Sequence, residues 1–364
     1  MKDFTTDNIK RIVVRGTNWV GDAIMGVPAL RQLRGLFPKS HITLVVRPWA
    51  EGLFKDCDFI DALLIYDRKG VASVFQQVRE WRKQRFDLAV LFQNAFEAAL
   101  IPFLARVPLR VGYATDGRSL LLSHPLALPD WRDTRHEVFY YMNIVEELGR
   151  LVQSSSAGPA KEPDCSLNVS STRRSQAASK LSQHGVRKGS AIVALCPGSI
   201  NSRAKRWPAE RYAGLADRLI EEMNANVLLI GSKEERDVTA EVARQMKQPA
   251  INLAGETSLD EAVAILGIVD LLVTNDTGPA HIASAQGKPT LVIFGPTNPL
   301  TTRPYSAVAE IVRHPPDCAP CMLRDCPIDH RCMTAISVDE VFTRALSLLS
   351  SETVAPATNR SVAS

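Results

Sequence analysis

The chain has 364 residues, 45% of them hydrophobic and 23% charged, with a formal net charge of +4 at pH 7. This length exceeds the size at which a single hydrophobic core stops growing, so it predicts two domains. The basic excess is too small to indicate a nucleic-acid-binding protein. It is compatible with a phosphorylated substrate or an anionic membrane surface.

The sequence contains no recognisable targeting segment. The polar N-terminus leads directly into a strand-like run, without the apolar region and cleavage site of a signal peptide. No apolar stretch approaches the roughly 20 residues that cross a bilayer. We therefore expect a cytoplasmic protein with no transmembrane segment, which can associate peripherally with a membrane.

The first half alternates between strand and helix patterns. A strand at 11–15 (RIVVR) precedes a glycine-containing loop and a helical pattern with apolar residues at 24, 27, 30 and 33. The other predicted elements are strands at 42–46, 62–65 and 88–92 and a helix at 71–84. This alternation predicts a parallel α/β sheet.

The second half repeats this alternation after a predicted linker at 151–163, which is rich in Ser, Ala, Gly and Pro. Its predicted strands are 192–196, 227–230, 250–253, 271–274 and 290–294. A helix is predicted at 338–349, and the composition from Ser350 is that of a disordered tail. The predicted organisation is a Rossmann-like domain at 1–150, a linker region at 151–185, a second Rossmann-like domain at 186–336, a C-terminal helix at 337–350 and a tail at 351–364.

The loops after the strands of the second half are candidate phosphate sites, because open α/β sheets bind ligands at the carboxyl ends of their strands. The loop at 275–281 (NDTGPAH) precedes a predicted helix, whose N-terminus attracts anions. An equally good interpretation makes Asp276 or Thr277 a simple helix cap. Lys205, flanked by Arg203 and Arg206, is by itself typical of a solvated loop, but three cations at this edge favour a diphosphate site.

The loop after the first strand lacks two familiar phosphate signatures. Residues 16–22 have the glycine spacing of a P-loop, but Asp22-Ala23 stand where Lys and Ser or Thr are required, and the dinucleotide glycine pattern is missing. Asp22 instead begins a helix. It either complements the helix dipole or acts as a general base that removes a proton from an attacking alcohol.

Together these segments resemble glycosyltransferase family 9, the ADP-heptose:lipopolysaccharide heptosyltransferases, from Arg11 to about Leu349. The matching segments are 18–22 (NWVGD), 197–199 (PGS), 204–208 (AKRWP), 252–257 (NLAGET) and 275–278 (NDTG) with His281. The resemblance implies a GT-B architecture, in which two Rossmann-like parallel-sheet domains face a central cleft. It also implies inverting transfer from ADP-L-glycero-D-manno-heptose with no required cofactor and no catalytic metal.

The resemblance assigns roles to individual residues. Asp22 matches the proposed catalytic base, in an acceptor-binding first domain. The residues that match the donor-binding site of the second domain are Ser199, Lys205, Glu235, Thr257, Asp276, Thr277, Gly278 and His281. Among them, Lys205 matches a lysine on the diphosphate, Ser199 a nearby hydroxyl, Glu235 (with Glu234 as the alternative) an acid on the ribose, and Thr257 a wall of the adenine pocket.

Within the family, WVGD and residues 93–100 (QNAFEAAL) resemble the enzymes that add heptose to the first heptose of the lipopolysaccharide inner core. Ala95 departs from the NSF usual there. The implied acceptor is a lipid A–core molecule at the inner face of the inner membrane. Its carboxylates and phosphates require cations, and Arg47, Arg110, Arg118 and Arg135 lie in or near first-domain loops.

Alternative interpretations remain open. The chain could add the first heptose to Kdo-lipid A, act at a later core position, or be another sugar-nucleotide enzyme on the same fold, such as an epimerase. A protein that binds the core or a nucleotide without catalysis is an interpretation from a different class.

Four of the seven cysteines form a cluster, Cys318, Cys321, Cys326 and Cys332, with the spacing C-x2-C-x4-C-x5-C. This is close to a zinc knuckle but tighter than common structural sites. Disulfides are disfavoured in a reducing compartment, so the cluster is either a structural zinc site or a set of reduced thiols. The transfer chemistry requires no metal from it.

Overall fold

The computed structural model describes residues 5–152 and 162–352, which fall into two compact units. Unit 1 contains the described residues up to Ser170 together with Leu259–Val263 and Pro299–Ser306, and unit 2 contains Ser171–Ser258, Ala264–Asn298 and the described residues from Ala307 onward. Most of the predicted linker and nearly all of the predicted tail lie outside the described residues.

Unit 1 is built on a six-stranded parallel sheet with the order β3-β2-β1-β4-β5-β6. Its strands are β1 (Arg11–Arg15), β2 (His41–Val46), β3 (Ala62–Ile65), β4 (Leu88–Leu91), β5 (Leu109–Tyr113) and β6 (His124–Leu126). All four residues of β4 are buried, as expected of a strand covered on both faces.

Unit 2 is built on a second six-stranded parallel sheet, with the order β12-β11-β10-β7-β8-β9. Its strands are β7 (Ile192–Cys196), β8 (Asn226–Leu229), β9 (Ile251–Asn252), β10 (Leu271–Asn275), β11 (Thr290–Phe294) and β12 (Ala309–Arg313). Counted within each unit, both sheets have the strand order 3-2-1-4-5-6 of the doubly wound fold.

Helices connect these strands. In the described residues they are α1 (Val20–Met25), α2 (Val27–Leu36), α3 (Glu51–Phe54), α4 (Val71–Gln84), α5 (Phe96–Leu104), α6 (Glu137–Leu151), α7 (Ser171–Gln183), α8 (Ala209–Met223), α9 (Arg236–Gln245), α10 (Leu259–Leu266), α11 (Gly278–Ala285), α12 (Pro299–Thr302), α13 (Arg331–Thr334) and α14 (Val338–Glu352). No described helix is both long and apolar enough to cross a membrane.

The predicted parallel α/β class is confirmed, and the predicted bounds of β1, β3, β7, β11 and α4 are those of the structure. One predicted helix was wrong in extent, because the pattern at residues 24–33 is divided at Gly26 into α1 and α2. Pro28 lies at the start of α2, where a proline begins a helix but cannot continue one. The inner strand β5 and the edge strands β6 and β12 were not predicted.

In both sheets an aspartate side chain bonds to the start of the neighbouring central strand. The Asp87 carboxylate accepts the backbone N–H groups of Lys10 and Arg11, each at 2.9 Å, at the point where β4 joins β1. In unit 2 the Asp270 carboxylate accepts the N–H of Ile192 at 2.7 Å, where β10 joins β7. Each aspartate therefore fixes the register of the two strands that lie beside the candidate site.

We expect Asp87→Ala and Asp270→Ala each to lower the free energy of unfolding by about 1–3 kcal/mol, because each leaves strand N–H groups without their acceptor. Denaturant unfolding measures the change. Asp7→Asn, at an exposed position, is the control and should change stability by less than about 0.5 kcal/mol. Equal stability of Asp270→Ala and the control would contradict this role.

Candidate active site

Each sheet has one point where the strand order reverses, between β1 and β4 in unit 1 and between β7 and β10 in unit 2. Loops on either side of such a point leave in opposite directions and open a crevice, which is where doubly wound sheets bind ligands. The register aligns Arg15 with Leu91 and Cys196 with Thr274, so neighbouring loops begin side by side. Most of the predicted site residues lie in or just after these loops.

In unit 1 the crevice is formed partly by the loop from Gly16 to Trp19. Gly16 donates to Val45 O at 3.0 Å, and a Cβ on Gly16 would lie 3.0 Å from that same oxygen, so the close approach requires glycine. Asp22 follows as an acidic residue in the first turn of α1. A small pocket is lined by Asp22, Thr17 and apolar side chains that include Leu44, Phe54 and Phe92.

A second carboxylate lies near Asp22. Burial raises the pKa of Glu137 to about 7, and the charge of Asp22 adds to the rise. The Arg132 guanidinium opposes it and donates to the two carboxylate oxygens of Glu137 at 2.7 and 3.2 Å. Burial also raises the pKa of Tyr141, with Asp22 again contributing. Asp22 therefore lies close enough to Glu137 and Tyr141 for its charge to act on both.

Arg118 does not have the exposure that an acceptor-binding cation needs, because it is completely buried. Its guanidinium donates to Tyr113 O at 2.8 Å, to the Asn94 side-chain oxygen at 3.1 Å and to Gln93 O. Burial lowers the pKa of Arg118 to about 10, so the side chain still carries its charge at neutral pH. Arg118 therefore holds the loop that follows β4.

In unit 2 a single buried side chain joins the loops on both sides of the crevice. Asn275 Oδ1 accepts from Trp207 N at 3.0 Å and from the Tyr212 hydroxyl at 3.1 Å. Its Nδ2 donates to Pro197 O at 2.9 Å and to Gly198 O at 3.2 Å. The Asn275 amide thus uses all four of its hydrogen-bonding positions. The sequence reasoning placed Asn275 in a motif but missed this structural role.

The loops carry Lys205 and Asp276 into direct contact. Lys205 Nζ lies 2.8 Å from Asp276 Oδ2 and 3.1 Å from the Asp276 carbonyl oxygen. Asp276 is only 5% exposed, and Thr297 Oγ1 donates to the same carboxylate oxygen at 2.7 Å. Because this carboxylate neutralises the lysine and orients it, the lysine is held at the crevice before any ligand binds.

The two arginines beside Lys205 have different bonding partners. Arg203 pairs with Asp325 at 2.6 Å on the surface, and Arg206 donates to Ser199 O at 2.8 Å. The expectation that three cations act together is therefore not supported by their contacts. Of the three cations in this loop, Lys205 is the one that contacts Asp276 in the loop after β10.

The helix after β10 begins where the sequence predicted. Thr277 has extended backbone angles at the N-cap of α11, and Gly278 and Pro279 form its first turn. The Thr277 hydroxyl contacts Thr274 Oγ1 at 3.2 Å instead of capping the helix. The side chain of Thr277 therefore does not cap α11. Pro279 has no N–H and Ala280 N donates to Thr277 O at 3.1 Å, so it is chiefly the dipole at this helix N-terminus that favours an anion. His281, 5% exposed, lies within this helix.

Glu235 lies against the loop that follows β7. A Cβ on Gly198 would collide with the Glu235 carboxylate, so the acid packs directly on this glycine, next to Ser199. Its other oxygen accepts from Ser232 N at 2.9 Å. Glu234 is exposed to solvent. These contacts favour Glu235 over Glu234 as the acid of the site.

Thr257 lies apart from this set of contacts. It follows β9, the edge strand, in a loop fixed by Arg236, which donates to Gly255 O at 2.9 Å. Within the described residues no hydrogen bond joins Thr257 to the other predicted site residues, so its role stays a prediction.

The four cysteines of the cluster lie close together. Cys318, Cys321, Cys326 and Cys332 are free thiols that line one pocket. Among the described residues, no three His, Cys, Asp or Glu side chains are arranged to hold a metal. Backbone and side-chain bonds instead tie this segment to the Lys205 loop: Ala204 N donates to Arg324 O at 2.9 Å, and His330 Nε2 lies 2.6 Å from Ala204 O.

Comparison with known proteins places this geometry in a family. Residues 73–331 match the glycosyltransferase family 9 (heptosyltransferase) model. The chain is 30% identical to lipooligosaccharide heptosyltransferase 2 of Haemophilus ducreyi and 31% identical to lipopolysaccharide heptosyltransferase 2 of Salmonella typhimurium, in each case over 83% of this chain and 88% of the relative. The structure of E. coli ADP-heptose lps heptosyltransferase II superimposes with a TM-score of 0.81 at 27% identity, covering 94% of this chain and 100% of that one. This match confirms the predicted GT-B architecture.

We expect the stability of Glu137→Gln relative to wild type to depend on pH. The fold raises the pKa of Glu137 from 4.5 to about 7, so ionisation of this group destabilises the folded protein. That cost is absent below pH 4.5 and complete above about pH 7. Denaturant unfolding should therefore show no difference at pH 4 and a more stable variant at pH 8, by up to about 3 kcal/mol. The control Glu51→Gln, at an exposed site, should show no such trend. A variant less stable than wild type at pH 8 would contradict the prediction.

Proposed function

The chain belongs to glycosyltransferase family 9, and we propose that it transfers L-glycero-D-manno-heptose from ADP-heptose to the first heptose of the lipopolysaccharide inner core. The observation that carries this proposal is the similarity to heptosyltransferases 2 over 83% of the chain, together with the superposition on heptosyltransferase II. The acceptor is lipid-anchored, so in this proposal the enzyme works at the inner face of the inner membrane.

We assign the donor to the crevice of unit 2. A nucleoside diphosphate needs positive charge, which Lys205 and the dipole at the N-terminus of α11 supply. The carboxylate of Asp276 holds Lys205 at 2.8 Å and moderates its charge until the diphosphate binds. Ser199, Thr277, Gly278 and His281 belong to the loops and helix around that position, and Glu235 and Thr257 are assigned to the ribose and the adenine.

We assign the acceptor and the catalytic base to the crevice of unit 1. Asp22 accepts the proton of the attacking hydroxyl as that oxygen bonds to the anomeric carbon of the heptose. The bond from this carbon to the diphosphate breaks on the opposite face, and ADP leaves with the electron pair. Lys205 and the N-terminus of α11 stabilise the charge that develops on the leaving diphosphate. The configuration at the anomeric carbon is inverted, and no step requires a cofactor.

Asp22→Asn should lower kcat for heptose transfer by about 10²–10⁴-fold, because the amide cannot accept the proton. Binding of ADP, measured by calorimetry, should stay within twofold of wild type. Transfer that survives in Asp22→Asn would favour a protein that binds these ligands without using Asp22 as a base. Asp7→Asn is the control for an exposed carboxylate in the same unit.

Lys205→Ala should weaken ADP binding by about 10–100-fold, the value of one charge-assisted hydrogen bond. Arg203→Ala is a matched control from the same loop, since its guanidinium pairs with Asp325 instead. Thermal unfolding must first show that both variants are folded. Equal loss of ADP affinity in the two variants would mean that the loop acts only through its net charge.

The proposal as a whole is tested by transfer assays with defined acceptors that carry no heptose or one heptose. We expect product only with the acceptor that carries one heptose and only with ADP-heptose as donor. Activity confined to the heptose-free acceptor would assign the chain to addition of the first heptose. Stabilisation by UDP and not by ADP would refute the proposed donor.

A further inference from the structure

Two buried polar side-chain atoms near the crevice of unit 1 contribute no hydrogen bond to the described part of the fold. Thr17 Oγ1 and Gln93 Oε1 are shielded from solvent and have no hydrogen-bond partner among the described residues. Thr17 lies two residues after the end of β1, and Gln93 lies two residues after the end of β4. These strands pair in parallel up to Arg15 and Leu91. The two orphaned atoms therefore belong to the loops on the two sides of the reversal point.

Thr17 also lines the pocket that contains Asp22. The other lining residues are apolar or glycine, among them Ala23, Leu30 and Val46. The pocket thus offers one carboxylate and one hydroxyl on an otherwise apolar wall. An apolar site with a few convergent polar groups is typical of a pocket that binds and orients a ligand.

The Thr17 hydroxyl is unfavourable for folding by itself. A buried hydroxyl without a partner loses its hydrogen bond to water and gains none from the protein. Threonine is not required for its shape, since valine has the same branched outline. A hydroxyl at this position is therefore best explained by a partner that enters the pocket.

We propose that Thr17 is a further catalytic residue, whose hydroxyl binds the acceptor sugar and holds the attacking hydroxyl of that sugar against Asp22. This inference rests on the proposed function. A hydroxyl both donates and accepts, so Thr17 can bond to a sugar hydroxyl while Asp22 takes the proton of the nucleophile. The Gln93 amide oxygen accepts from a second hydroxyl of the same sugar.

The test is Thr17→Val in the full chain, with ADP-heptose and the one-heptose acceptor. We expect kcat/KM for the acceptor to fall about tenfold, which is the worth of one hydrogen bond. The affinity for ADP should not change, and the Tm should be equal to or higher than that of wild type, because an unpartnered hydroxyl has been removed. Thr17→Ser should restore most of the transfer activity.

Thr115→Val is the matched control. Thr115 Oγ1 is also buried without a partner in the described part of unit 1, but Thr115 does not line the Asp22 pocket. Its removal should leave kcat/KM unchanged. Gln93→Met, a second variant of similar shape, should raise KM for the acceptor while leaving ADP binding unchanged.

Wild-type kinetics in Thr17→Val would overturn the inference, as would an equal loss in Thr17→Val and Thr115→Val. A fall in Tm that accompanies the loss of activity would assign Thr17 a structural role and would also overturn it. Failure of the wild-type chain to transfer heptose would refute the proposed function itself, which is a different outcome from an active wild type with an equally active Thr17→Val.

Discussion

The single reversal of strand order in each sheet is the constraint on which the site residues depend. Parallel strands deliver their loops to one edge, but only at the reversal do neighbouring loops part and leave a crevice. Asp22 follows β1 and Asp276 follows β10. Both strands lie beside a reversal, so both acids lie near a crevice. Asp87 and Asp270 fix the register at the opposite ends of the same strands.

The two crevices share one topology but differ in charge. In unit 2 the acid Asp276 is buried and paired, so the group that remains directed to the crevice is the Lys205 ammonium. In unit 1 two acids lie close together: burial favours the neutral form of Glu137, and the charge of Asp22 adds to that effect. A cation suits a diphosphate, and an anion suits the removal of a proton, so one fold supports both tasks.

Both crevices depend on buried polar side chains that have no role in the chemistry. Asn275 joins the loops after β7 and β10 through four hydrogen bonds, and Arg118 holds the loop after β4 through three. Satisfied polar groups of this kind specify one loop conformation, because any other would leave a buried donor or acceptor unpaired. Thr17 and Gln93 are exceptions to this rule, and both lie next to the proposed acceptor site.

Local pattern in the sequence determined the central strands, the helix α4 and the two-unit alternation, because hydrophobic period and turn residues act over a few neighbours. It also placed Lys205 and Asp276 in loops after strands and Asp22 at the start of the helix after β1. It assigned Glu235 with Glu234 as the alternative, and it placed Arg118 with the cations in or near the loops of the first domain. Contacts between distant segments add what local pattern lacks: Glu235 packs on Gly198, the loop after β4 encloses Arg118, and the segment of the four cysteines bonds to the Lys205 loop. Burial and hydrogen-bond partners depend on residues far apart in the chain, so only the tertiary structure determines them.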